Sequence, residues 1–364
     1  MQYNRWHYFK YGFQFAGWAL LLLLGTEVFT RLAIVSTPPL SSKVNGGGVE
    51  IYGIEGYGII YYLPNLEIAT PYSGGENIVT LGDSYTQARH SLFWKNFSSV
   101  AETELRSSGH PMDVRNFGYM ASALPYYIGI GESLLETYQP RVVVIQIAMH
   151  DLTSERIFDP SAPFYFKIDG SGQIVVKTQP KQADNYLKLS SRTENAPAYT
   201  FNGRSALETY LNIQHGQKTG KADDDSEPAA TTITEQAIGS NAKEKFIAQE
   251  LLLIEQTYGD TPLIFVFRPT FSKKRLEFYY DNETKNFISL VKQRPSWRVL
   301  CIDASFNQSF QNGHSPLGFG NTDPFSGHWN AIGHEIVGKE LARTIMEALD
   351  QESAMPQAEQ CVFN

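Results

Sequence analysis

The chain has 364 residues, 42% of them hydrophobic and 19% charged, which is enough to bury a large core and too apolar for a disordered chain. A formal net charge of −8 with no basic stripe argues against a nucleic-acid binder. Two cysteines are too few for a disulfide framework, and no C-x-x-C or H-E-x-x-H spacing is present, so neither a metal nor a cofactor is expected.

In chain order, Arg5 and Lys10 precede an apolar stretch from Tyr11 to Thr26 that includes Leu20 to Leu24. Apolar character resumes after Glu27 and continues to Val35. Glu27 and Arg31 are one helical turn apart and can pair on one face. With its flanks the stretch reaches the roughly 20 residues of a membrane span. No small-x-small cleavage site follows, so residues 1–35 read as an uncleaved anchor. The basic flank puts the N-terminus in the cytoplasm and the remaining chain in the periplasm or outside the cell. A buried helix of the main domain is the competing reading.

Residues 36–75 begin as a linker, with Pro38, Pro39 and Gly46 to Gly48, and continue through Val49 to Ile68 as an edge hairpin broken by Gly53, Gly56 and Gly58. Strands then alternate with helices. The strands are Ile78 to Leu81, Val114 to Phe117, a buried run within 140–148, Pro262 to Phe267 and Trp297 to Ile302. The helices are Phe93 to Leu105, Leu124 to Thr137, Ala248 to Tyr258, Phe287 to Lys292 and Ile332 to Leu349. Such alternation predicts an α/β domain over 76–350, with a parallel sheet covered on both faces, and a tail at 351–364.

An insertion at about 152–242 interrupts the alternation. Phe164 to Val176 reads as a hairpin around Asp169 to Gly172. His215 to Lys243, with Asp223, Asp224 and Asp225 in a row, reads as a mobile polar loop. Insertions at the carboxyl edge of such sheets wall or cover a site, and a neutral surface loop is the alternative. Cys301 lies in the apolar run Val299 to Ile302. A buried thiol and a bridge to Cys361 are both open, the bridge requiring an oxidising compartment.

The strand Ile78 to Leu81 stops abruptly at Gly82-Asp83-Ser84, and helix-tolerant polar residues follow. That turn lifts the Ser84 side chain above the carboxyl edge of the sheet, where open α/β folds place ligands. Alone, G-D-S is a common turn. Two distant segments accompany it in order: Asn116-Phe117-Gly118, and Gly327-His328-Trp329-Asn330-Ala331-Ile332-Gly333-His334. Together these blocks resemble the SGNH (GDSL-type) hydrolase family, in a membrane-anchored bacterial form. The family's G-x-N-D block is degraded here to Ala148-Met149-His150-Asp151. The resemblance implies a flavodoxin-like three-layer sandwich with about five parallel strands, and ester chemistry on a serine.

A serine hydroxyl needs a base to take its proton. His328 fills that role on a loop before the last helix, which Asn330 is suited to cap. His334 is the competitor, but it falls inside the helix. The oxyanion of ester attack needs preorganised donors. The candidates are the backbone N–H groups of Ser84 and Gly118 and, where the family has an asparagine, the side chain of His150. A satisfied polar residue at a strand end is the other reading of His150.

The family's aspartate stands two or three residues before the histidine, at positions held here by Ser326 and Phe325. Asp323 folded back by a turn at Pro324, Ser326 as a neutral substitute, and neither of them all stay open as the orienting group. Asp83 and Asp151 read as turn residues. The expected activity is hydrolysis of O-acyl esters, O-acetyl above all. The substrate class, acylated carbohydrate of the cell envelope or an exported polysaccharide, is implied by resemblance and location. An O-acyltransferase using the same Ser-His pair and a weakly catalytic binding or assembly protein are the alternatives.

Overall fold

Apolar runs that alternate with amphipathic segments leave one economical solution, a parallel sheet between two helical layers. The computed structural model describes residues 5–36, 59–62, 75–88, 91, 93–119, 122–152, 157–179, 198–201, 240–318, 327–350 and 361. Before the sheet come helix α1 (Arg5–Ser36) and strand β1 (Ile59–Tyr62). The domain opens with β2 (Glu76–Gly82), the short helix α2 (Ser84–Gln87), α3 (Phe97–Ser107) and β3 (Met112–Gly118). Helices α4 (Leu124–Gly129) and α5 (Gly131–Tyr138) lead to β4 (Val142–Ile147). The insertion contributes β5 (Phe164–Ile168), β6 (Ile174–Thr178) and β7 (Ala198–Phe201). Then follow α6 (Ser240–Tyr258), β8 (Leu263–Phe267), β9 (Thr270–Ser272), β10 (Glu277–Tyr279), α7 (Asn282–Val291), β11 (Trp297–Cys301), α8 (Asp303–Gln311) and α9 (Ala331–Asp350).

Five strands pair in parallel in the order β3-β2-β4-β8-β11. Counted along the chain this is 2-1-3-4-5, the flavodoxin-like order. The chain reverses direction across the sheet at β2, so the carboxyl end of β2 borders the crevice where such folds bind ligands. On β4, Val143, Ile145 and Ile147 join one core layer with Leu134, Leu251, Ile254 and Phe287. Val142 and Val144 join the opposite layer with Phe97, Leu105, Phe306, Val337 and Leu341. Burial on both faces explains why these strands are continuous apolar runs.

Four features depart from the sequence reading. The single helix expected from Leu124 to Thr137 is broken at Ile130 into α4 and α5. Gly129 and Gly131 flank the break. A Cβ at Gly129 would lie 2.1 Å from the Phe164 ring, and one at Gly131 would lie 2.4 Å from Thr257. Both glycines let neighbouring elements approach closely, β5 on one side and α6 on the other. Strand β1, from the segment expected as an edge hairpin within 49–68, pairs antiparallel with β7 of the insertion, Ile59 opposite Phe201, a partner the sequence did not predict. The remaining residues of that segment lie outside the described residues, as does the polar stretch His215 to Lys243 up to residue 239. The β9–β10 hairpin and α8 were not expected.

The hairpin β5–β6 forms as expected, with Gly172 in the left-handed region at φ 81°. Cys301 and Cys361 form a disulfide with Cα atoms 5.5 Å apart and 60 residues of separation. Closing a loop of that length restricts the unfolded chain by about 4 kcal/mol in the chain-entropy account. Lys292 Nζ donates to the Cys361 carbonyl at 3.1 Å and holds the same segment against α7.

Of α1, the side chains of residues 13–29 are described, and Phe13, Phe15, Trp18 and Leu20 to Leu24 are all exposed. They are not packed into the domain, as the competing buried-helix reading would require. Among the described residues no helix is long and apolar enough to cross a membrane.

Candidate active site

Strand β2 ends at Gly82, and the next residue turns the chain into α2. Asp83 Oδ1 accepts from the Tyr85 N–H at 2.9 Å and caps the short helix. A Cβ at Gly82 would lie 2.0 Å from Thr86 Oγ1 and 2.7 Å from Gln146 Oε1, so only glycine lets the strand end sit against these groups. The turn closes at Ala88, whose φ of 52° places a non-glycine residue in the left-handed region at a cost of about 1–2 kcal/mol.

Below Ser84 lies a buried polar network. Gln146 Oε1 accepts from Thr86 Oγ1 at 3.1 Å and from the Asp83 N–H at 3.4 Å. Asn116 Nδ2 donates to the Thr86 carbonyl at 2.7 Å and to Ser98 Oγ at 3.0 Å. Each such bond contributes about 1 kcal/mol net, but orphaning a buried partner costs about 1–3 kcal/mol, so the network rigidifies the turn. Burial first, then the charges of Asp151 and Asp83, push the Tyr127 hydroxyl well above its usual range. Asp151 Oδ2 also accepts from the Ala148 N–H at 2.8 Å, which anchors the start of the insertion.

His328 comes from the other end of the chain. Its Nε2 lies 2.7 Å from Ser84 Oγ. With Nε2 unprotonated, the Ser84 hydroxyl donates to it, which is the geometry a general base needs. Gly327, at φ 85°, turns the backbone in a way an L side chain resists. The His328 carbonyl accepts from the Gly318 N–H at 2.9 Å. Asn330 Oδ1 accepts from the N–H groups of Ile332 and Gly333 at 3.0 and 3.1 Å, capping α9 as expected. His334 sits buried in α9, stacked on Phe97 at 6.1 Å and edge-on to Trp329 at 5.7 Å. It packs among aromatic rings, and the contact to Ser84 is made by His328.

The Gly118 N–H, expected as an oxyanion donor, donates to Asn116 Oδ1 at 2.9 Å in this structure. Gly118 also provides space: a Cβ there would lie 2.2 Å from the Gln87 backbone nitrogen. The Ser84 N–H heads α2. His150 has its backbone in the turn Met149–Leu152, and its side chain lies outside the described residues. Asp323 and Ser326 also lie outside them. Among the described residues no cluster of His, Cys, Asp and Glu could hold a metal ion.

Three positioning groups escaped the sequence reading. Tyr85 lies with its ring 4.7 Å from the His328 ring and donates its hydroxyl to the Gly327 carbonyl at 3.1 Å. Gln146 is the one polar residue in the run Val142 to Ile147, and that interruption could have flagged it. Arg268 directly follows β8 at the carboxyl edge, and its guanidinium lies 4.3 Å over the Tyr85 ring.

No family model matches the chain, and no curated protein matches it. Solved structures similar in fold include the family 3 carbohydrate esterase of Clostridium thermocellum, 11% identical, with 76% of this chain and 98% of that one covered at a TM-score of 0.38. A catalytic mutant of an acetylxylan esterase from Geobacillus stearothermophilus is 12% identical, covering 76% of this chain and 96% of its own at 0.39. A further acetyl xylan esterase is 11% identical, covering 74% and 99% at 0.38. Likenesses this remote carry no argument about activity, which rests on the site itself.

Proposed function

We propose that the chain is a serine acyl hydrolase of the SGNH (GDSL) type that acts on O-acyl esters, O-acetyl carbohydrate above all. The observation that carries the reading is the 2.7 Å contact between Ser84 Oγ and His328 Nε2 at the carboxyl end of β2. In the proposed reaction His328 takes the hydroxyl proton as Ser84 attacks the acyl carbon. The alcohol leaves with that proton, and water, deprotonated by His328, releases the acid and regenerates the serine. The Ser84 N–H and the His150 side chain are the proposed oxyanion donors, and Asp323 is the proposed partner of the second ring nitrogen of His328. A sugar hydroxyl arriving in place of water would turn the same acyl-enzyme to transfer.

The reading includes a location. Residues 1–35 are proposed as a membrane anchor, with the hydrolase domain in the periplasm or outside the cell. The exposed apolar side chains of α1 and the Cys301–Cys361 disulfide support it, because disulfides persist in oxidising compartments. A domain digested by protease only after the membrane is breached from the cytoplasmic side would refute that topology.

A fluorophosphonate probe tests the chemistry. Labelling of Ser84, with turnover of p-nitrophenyl acetate that disappears in Ser84→Ala, is the expected result. An unlabelled Ser84 in folded protein would overturn the reading. Adding free sugars separates hydrolysis from transfer, through the share of acyl groups that reach the sugar.

A further inference from the structure

Six arginines among the described residues, Arg106, Arg115, Arg141, Arg275, Arg294 and Arg343, each lie against a carboxylate, and Arg298 donates to the Glu347 carbonyl. Arg268 lies against no carboxylate among the described residues. Its backbone N–H donates to the Ile147 carbonyl at 2.9 Å, which fixes its start at the carboxyl ends of β8 and β4. Its half-buried side chain then reaches across to the Tyr85 ring at 4.3 Å. The same ring lies 4.7 Å from the His328 imidazole, and Tyr85 is the residue after the nucleophile. The Arg268 Nε is buried and makes no hydrogen bond among the described residues.

A guanidinium desolvated in this way loses water that an aromatic face replaces only in part. In a chain with a net charge of −8, a cation kept against the Tyr85 ring without an acidic neighbour among the described residues is positioned to meet charge brought from outside.

We propose that Arg268 is a specificity-determining residue that binds a carboxylate on the alcohol part of the ester, making the substrate an O-acylated acidic sugar. The inference rests on the hydrolase reading and deepens it. A planar carboxylate matches the guanidinium fork, and the Tyr85 ring that Arg268 covers also lies against the His328 imidazole. A neutral sugar leaves the guanidinium unpaired.

The test compares the full-length protein in detergent on two esters matched in acetyl position, the O-acetylated methyl glycosides of glucuronic acid and of glucose. The wild type is expected to favour the glucuronoside in kcat/KM. Arg268→Gln is expected to shrink that ratio about 10- to 100-fold, the size of one charge-assisted hydrogen bond, mainly through KM. Arg268→Lys is expected to restore part of it, and added salt to weaken it. Equal kcat/KM for the two esters in the wild type would overturn the proposal. So would an equal loss on both esters in Arg268→Gln, which marks a residue that only braces Tyr85.

If neither ester turns over, the hydrolase reading suffers separately, and binding still decides the Arg268 proposal. Calorimetry of Ser84→Ala with the two deacetylated glycosides should then show tighter binding of the glucuronoside, lost on adding Arg268→Gln. Equal binding of the two overturns it.

Discussion

Ser84 stands on a turn bolted into the sheet by buried side chains, whereas His328, 2.7 Å away, stands on a half-buried loop pinned by its neighbours and by the start of a helix. Beneath the serine, Asp83, Thr86, Asn116, Gln146 and Ser98 are fully or almost fully buried and hydrogen-bonded to one another or to the turn's backbone. Beneath the histidine, the ties among the described residues include the Gly318 N–H, the Tyr85 hydroxyl and the Asn330 side chain. A rigid nucleophile and a more lightly held base differ in how they fail. Damage to the turn should distort the core as well, while damage to the loop should change activity with little cost to the fold.

The largest effect asks whether the two halves act as one unit. Ser84→Ala and His328→Ala should each lower kcat by about 10⁶-fold, and the double variant by little more, because either loss disables the same proton transfer. Thermal midpoints should stay near the wild type. Additive losses in the double variant would show that the 2.7 Å contact is not functional.

Gly118→Ala attacks the nucleophile side alone. The new Cβ would meet a backbone nitrogen, that of Gln87, at 2.2 Å, and backbone cannot step aside as a flexible side chain can. Overpacking of this kind costs about 1–3 kcal/mol. A displacement of the turn by about 1 Å costs on the order of 10²-fold in rate. Stability and kcat should therefore fall together. A variant that loses only activity would assign Gly118 to the oxyanion hole, where the sequence alone would put it.

A smaller effect probes the foundation of the same side through pH. Glu102 of α3 accepts from the Val114 N–H of β3 at 3.1 Å and pairs with Arg106 at 3.2 Å. Burial nevertheless outweighs these contacts and pushes its carboxyl up to about 7. A folded value raised above the unfolded one means the folded state holds the proton more tightly. The stabilising contribution is complete below about pH 4.5 and is lost as pH rises through about 7. Glu102→Gln keeps an acceptor for Val114 and should flatten that decline, by roughly 2–3 kcal/mol across the window. Denaturant melts at pH 5 and pH 7.5 decide it, and an unchanged slope in the variant would assign the pH dependence elsewhere.

Much of this was legible in the sequence because it is local. Five apolar runs marked the sheet, and the stop from Leu81 to Gly82-Asp83-Ser84 marked the nucleophile. Asn330 could be read as a cap from its place before an apolar-periodic run. What stayed hidden depends on partners far away in the chain. Gln146 looked like one residue of a strand until Thr86 and Asp83 were seen against it. Gly118 could be read as a site of close approach, but not as one where the approaching group is Gln87. The pairing of β1 with β7 joins segments roughly 140 residues apart in the chain, beyond the reach of turn signals. Strands of three residues, as in β9 and β10, are too short to show a period.

The mildest prediction separates two jobs done by one side chain on the histidine side. Asn330 Oδ1 caps α9, while its Nδ2 donates to the carbonyls of Ser315 and Gly318 at 2.8 and 3.1 Å. Gly318 in turn donates to the His328 carbonyl at 2.9 Å, so the amide tethers the loop that carries the base. Asn330→Ala removes cap and tether and should cost about 1 kcal/mol of stability for the cap. Its kcat should also fall, because the base is no longer held at the distance proton transfer needs. Asn330→Asp keeps an acceptor for Ile332 and Gly333, and its charge suits a helix N-terminus. It cannot donate to Ser315 or Gly318, and its second oxygen would face two carbonyls. The aspartate variant should therefore keep most of the cap's stability while losing kcat much as alanine does. Thermal melts and ester turnover on the two variants read the jobs apart. If Asn330→Asp matches the wild type in kcat, the tether does not position His328.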